Sequence, residues 1–146
     1  SMSLVSVATG FARLGTGEGL SPSLANSVAR IRSAIVHNPI MLSGKGRVDT
    51  SITVECHGEV FVKSGAEGVM AASIPALGYG LAVKIDDGAQ RAATAVMANL
   101  LLQILQKHGI ATANAIEALT GHARFPLRNW NGTTVGLVEP VSFAEP

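Results

Sequence analysis

A chain of 146 residues with a net charge of +1, 47% hydrophobic and 14% charged residues belongs with globular proteins and far from disordered ones. It has no run of Lys or Arg and no aromatics interleaved with basic residues, so nucleic acid is not an expected partner. The length suits one domain, residues 1–146, able to bury roughly 70% of the surface that its unfolded form exposes.

Leu4, Val7, Phe11 and Leu14 recur at helical spacing and predict a first amphipathic helix, ending in the loop Gly15-Thr16-Gly17-Glu18-Gly19. The loop follows a helix rather than a strand and no Gly-Lys-Ser/Thr completes it, so it reads as a connector and not a phosphate cradle. Ser21 followed by Pro22 starts a second helix, with Leu24, Val28, Ile31 and Ile35 on one face, and Asn38-Pro39 stops it. After the turn Gly44-Lys45-Gly46-Arg47, Asp49 or Thr50 is expected to cap a short helix running toward Cys56.

Cys56 is the only cysteine, which excludes an internal disulfide and a multi-cysteine metal site within this chain and points to a cytoplasmic, reducing compartment. Its neighbour His57 points the other way in an extended segment, so the two read as a buried thiol and a surface imidazole, not a catalytic dyad. In the strand signal that follows, Val60 and Val62 face one side while Glu59, Phe61 and Lys63 face the other. Lys63 is thereby aimed away from the packed side just before Ser64-Gly65-Ala66-Glu67-Gly68, where an amine can meet a substrate and Gly65 lets a backbone approach closely.

Val69 to Ile74, the turn Pro75-Ala76-Leu77-Gly78 and Tyr79 to Asp86 predict an antiparallel hairpin, with Leu81, Val83 and Ile85 on its buried face. From Ala89 to His108 the period becomes helical, giving a central core helix closed by Gly109 and Ile110. Its apolar stretch from Ala92 to Leu105 is interrupted by Asn99 and Gln103 and falls short of the roughly 20 residues of a membrane span, so no membrane partner is expected. A shorter helix over Thr112 to Leu119, a turn at Asn129-Trp130-Asn131-Gly132, a last strand over Thr133 to Val138 and a loose tail from Pro140 to Pro146 complete the chain. The fold class is α+β: an antiparallel sheet from the segments around Val60, Ala71, Val83 and Val135, with the central helix packed across one face.

Lys63-Ser64-Gly65 at a strand end resembles the corresponding element of serine β-lactamases, penicillin-binding proteins and serine-dependent glutaminases. The order of elements resembles the C-terminal part of the asparaginase II family. Its pieces are Gly44-x-Gly46-Arg47-x-Asp49-Thr50, Val62 through Gly68, and Gly80 through Gly88 before the long helix. The resemblance implies a serine β-lactamase/glutaminase-like fold and an amidohydrolase in which a serine attacks the side-chain amide of asparagine, ammonia leaves and water hydrolyses the acyl-enzyme. It places Lys63 across the cleft from the nucleophile, relaying a proton or holding charge, and makes Gly65 and Ser64 substrate-binding. Ser64 reads equally as a hydroxyl that stabilises the turn. Arg47 has the planar fork for a substrate carboxylate, although an ion pair with Asp49 or Glu67 that braces the turn is the preferred reading. Asp49 and Glu67 are then structural neighbours of the site, and Lys84 a solvated surface lysine.

One departure is severe. The family's Ser-x-x-Lys nucleophile motif is absent: the residues three before Lys45, Lys63, Lys84 and Lys107 are Leu42, Val60, Leu81 and Ile104. The resemblance assigns that motif, and the cysteines linked to a metal, to an N-terminal half outside these residues. No cofactor or metal is therefore expected in this chain, and alone it is expected to be inactive. Asn38 also stands where the family often has His before its Pro. The expected partners are a small-molecule amide and either the N-terminal half or a second copy of the chain, most simply a twofold dimer with Lys63 at the interface or an open cleft. The alternative is a non-catalytic binding or assembly module that retains the fold.

Overall fold

The computed structural model describes residues 2–141. Helix α1 (Leu4–Thr16) starts at Ser3, whose hydroxyl accepts the Ser6 N–H at 3.1 Å, and stops at Gly17 with φ 77°. Helix α2 (Pro22–His37) is capped by Ser21 and has Pro22 in its first turn. A single helical turn, α3 (Ile40–Ser43), leads through Gly44 to α4 (Val48–Glu55). Strands β1 (Phe61–Ser64), β2 (Val69–Ile74) and β3 (Tyr79–Lys84) come next, then α5 (Gln90–Lys107), α6 (Ala113–Ala123), β4 (Phe125–Arg128) and β5 (Thr134–Val138). The tail expected beyond Pro140 lies, apart from Val141, outside the described residues.

The fold is α+β, and its main sheet is antiparallel in the order β1-β2-β3. Phe61 pairs with Ser73, Lys63 with Ala71, and Met70 with Val83. Since side chains alternate along a strand, this register puts Val62, Met70, Ala72, Ile74 and Val83 on one face. There they join Met97, Leu101 and Leu105 of α5, Leu119 of α6 and Ile52 of α4 in the main core. Phe61 belongs to the opposite face, where its ring meets Phe11 of α1 at 6.4 Å. Helices cover both sides of the sheet, which is why Phe61 is buried despite sharing a face with the exposed Lys63.

Helix α1 lies unusually close to the sheet. A Cβ at Gly80 would collide with the Ala8 carbonyl oxygen and stand 2.5 Å from the Ala12 nitrogen, and one at Gly15 would collide with Ser73 Oγ. Only glycine fits where backbone meets backbone in this way. Helix α2, by contrast, buries none of its residues: Leu24 and Ile31 of its apolar row remain exposed.

Three sequence expectations are corrected. The segment around Val135 does not join the main sheet; β5 pairs with β4 in a separate two-stranded hairpin, Pro126 opposite Leu137. Strand β4 escaped notice because a proline suppresses a strand signal, yet it fits where one edge is open and no second neighbour needs the missing N–H. Helix α6 runs to Ala123 rather than Leu119, because the buried Ala123 continues its apolar row by one further turn. Neither Asp49 nor Thr50 caps α4: Arg47 is at the cap position without a side-chain bond, and Thr50 Oγ1 donates to the Gly44 carbonyl at 2.7 Å.

The Pro75–Leu77 turn is one turn of 3-10 helix closed by Gly78 at φ 65°, and it joins β2 to β3 as an antiparallel hairpin. At the tip of the β4–β5 hairpin Trp130 is fully exposed. No described helix is long and apolar enough to cross a membrane.

Candidate active site at the end of strand β1

Strand β1 is an edge strand, and its outer edge is closed by a carboxylate. Asp49, in the first turn of α4, is fully buried, and its Oδ2 accepts from the Ser64 N–H at 3.1 Å, the Ser64 hydroxyl at 2.8 Å and the Ser43 hydroxyl at 2.5 Å. Lys63 Nζ joins the same oxygen at 3.2 Å and also donates to the Ser64 carbonyl at 2.9 Å. Asp49 Oδ1 is buried without a partner. Burial by itself pushes the Asp49 carboxyl up, but bonds from Ser43, the Ser64 backbone, the Ser64 hydroxyl and Lys63 together hold it below its ordinary value.

Lys63, Ser64 and Asp49 therefore form one cluster, and Ser43 is its member that the sequence did not reveal. The Lys63 side chain is 44% exposed while Asp49 is sealed, so the pair is open to solvent on the lysine's side. The immediate charged neighbour of Lys63 is the Asp49 carboxylate. Of its three N–H donors two are engaged and one is free. Ser64, which must donate its proton because an ionised carboxylate only accepts, keeps its oxygen lone pairs available.

Other expected members stand apart. Arg47 is exposed and forms no ion pair among the described residues, so the brace to Asp49 or Glu67 is not made. Asp49 is already saturated on one oxygen by neutral and cationic donors, and Glu67 sits exposed at φ 57° in the β1–β2 turn. Gly65 uses its N–H on the Val69 carbonyl at 2.8 Å, continuing the ladder, so that group is not a substrate donor. Lys84 is exposed and donates to the Ile85 carbonyl.

Cys56 is buried, and desolvation, with the charges of Glu59 and Glu55, pushes its thiol up to about 11, which leaves it inert. Cys56 is a lone buried cysteine, and among the described residues no three His, Cys, Asp or Glu side chains are grouped to hold an ion. A second polar contact escaped the sequence reading: Ser51 of α4 meets His122 Nε2 of α6 at 2.9 Å, across 71 residues of chain. Burial lowers the His122 pKa and favours the neutral ring. Beside it a cleft of about 420 Å³ is lined by Ser51, Glu55, Asn114, Glu117 and Ala118; none of the Lys63 cluster takes part in it. Two carboxylates there would oppose a developing oxyanion, so we read the contact as a clamp between helices.

The cluster is a buried carboxylate that holds a strand-end lysine and serine on an α+β scaffold. The family model for L-asparaginase II matches residues 1–140, and the chain belongs to the asparaginase II family, a family of asparaginase-type hydrolases. A search of curated proteins finds no match.

Proposed function

We propose that the chain carries the Lys63 side of the active site of an L-asparaginase-type amidohydrolase, which converts the side-chain amide of asparagine to aspartate and ammonia. Family membership gives the reaction class, and the single observation that carries the site is the Lys63–Ser64–Asp49 cluster. The free Lys63 N–H suits an amide carbonyl oxygen and the Ser64 lone pairs suit an amide N–H, a donor and acceptor side by side as a primary carboxamide requires. Arg47, exposed and unpaired, is the group for a substrate carboxylate, and the Gly65 carbonyl is what remains of that residue to bind substrate backbone.

The serine nucleophile and the base that activates it belong to a Ser-x-x-Lys outside these residues, so the chain reads as one cytoplasmic domain corresponding to the C-terminal part of a serine β-lactamase/glutaminase-like enzyme. Its largely apolar groove, lined by Ile31, Ala34, Ile35, Asn38, Met41 and Leu42, is where that complementary half or a second copy packs.

Ammonia release tests this reading. The isolated chain should release none from asparagine, whereas a polypeptide joining it to a Ser-x-x-Lys-bearing half should be active and lose about a hundredfold or more in kcat on Lys63→Met. Activity of the joined protein that survives Lys63→Met would remove the lysine from the site. An inactive joined protein with a buried, unchanged α2 face would favour the binding module.

A further inference from the structure

We infer that Asp49 is the positioning residue of this site, holding the Lys63 amine at the end of β1 and turning Ser64 so that its hydroxyl presents only lone pairs outward. Four donors from two segments, Ser43 of α3 and Lys63 and Ser64 of β1, converge on one oxygen of a carboxylate that is itself fully buried. A buried carboxylate is costly unless it is paired, and this one is placed where its charge serves a partly exposed lysine. Ser43 anchors it from α3 and the Ser64 N–H from the strand, so the oxygen that Lys63 touches is fixed before any ligand arrives.

Two consequences follow for the chemistry. Asp49 is held below the ordinary carboxyl range, first against the upward push of burial and by the bonds from Ser43 and Ser64, so it is a poor acceptor for the Ser64 proton and Ser64 does not become a nucleophile. Lys63, with two of its donors engaged and one left over, is placed to donate to a reacting oxygen. The catalytic meaning rests on the amidohydrolase reading; the geometry and its test do not.

Competitive amine labelling at trace reagent, quantified by mass spectrometry on the isolated chain, reads Lys63 against Lys45, which makes no side-chain bond among the described residues. Lys63 should react about fivefold more slowly than Lys45, and Asp49→Asn should abolish most of that difference while leaving Lys45 unchanged. Carboxyl titration by NMR supplies the reverse arm: Lys63→Met should move the Asp49 titration upward. If Asp49 served only the fold, Asp49→Asn would lower the melting temperature without changing the Lys63 labelling ratio, and that result overturns the inference. Should Asp49→Asn not fold, the second arm decides alone, an Asp49 titration indifferent to Lys63→Met having the same effect.

Discussion

Helices α1 and α2 are neighbours in sequence, similar in length, capped by serine at the start, and each carries an apolar row at helical spacing. One is pressed onto the sheet until backbones touch; the other has no fully buried residue, with Val28 and Ile35 only half covered and Val36 resting over Gly58. The difference is not in the helices but in what the sheet offers them. Gly80 removes a side chain from β3 under Ala8 and Ala12 of α1, whereas no described strand presents a comparable bare strip to α2. Periodicity specifies which face of a helix wants cover, and the partner's surface decides whether it is covered.

The comparison breaks most directly at Gly80. Gly80→Val should cost about 3 kcal/mol or more, because the added carbons meet backbone atoms that cannot rotate away, and chemical denaturation followed by circular dichroism should show it. A null effect would mean that α1 rides loosely on the sheet.

Polar contacts extend the comparison to α4, which is tied to β1 by Asp49 and to α6 by His122. Both groups have a lowered folded-state pKa, so the unfolded chain takes up the proton first as pH falls. The His122 contribution is complete above its ordinary value of 6.5 and is lost as pH falls from there through the lower folded value. The Asp49 contribution is lost in a second window, from 3.8 downward. His122→Gln should abolish the first of these acid-induced losses and spare the second, which urea midpoints measured between neutral and acid pH can resolve.

A smaller gain should come from the β1–β2 turn. Glu67 holds φ 57° without the relief that glycine would bring, so Glu67→Gly should stabilise the chain by about 0.5 kcal/mol. The smallest effect belongs to α2: Ile31→Ser, at a side chain half open to water, should shift stability by less than about 0.5 kcal/mol in the isolated chain. A large loss there would mean that the chain self-associates through this face, which light scattering on the same variant would register as a change of mass.

How far the sequence reached can be judged at particular residues. Ser21-Pro22, the Val60/Val62 alternation and the Leu101/Leu105 rows were readable because capping, pleat and helical period are local. Asp49 was not. Placed two residues into a helix it resembled a cap, and only the fold brings it to Lys63 and Ser64, 14 and 15 residues on. Ser51 and His122 are further apart still, and nothing local in either helix signals the other. Arg47 failed in the opposite sense: its neighbours in sequence promised an ion pair, but Asp49 was claimed by donors from elsewhere.

The exposed Trp130 has a practical corollary. It is the chain's only tryptophan and lies at a hairpin tip already surrounded by water, so its emission should be red-shifted in the native state and change little when the core melts. Intrinsic fluorescence would then report a stable protein as already unfolded, and a denaturation curve read from it would be nearly flat. The same indole is for that reason a clean optical label: a blue shift in its emission, with the circular dichroism unchanged, marks the moment another molecule settles on the β4–β5 hairpin.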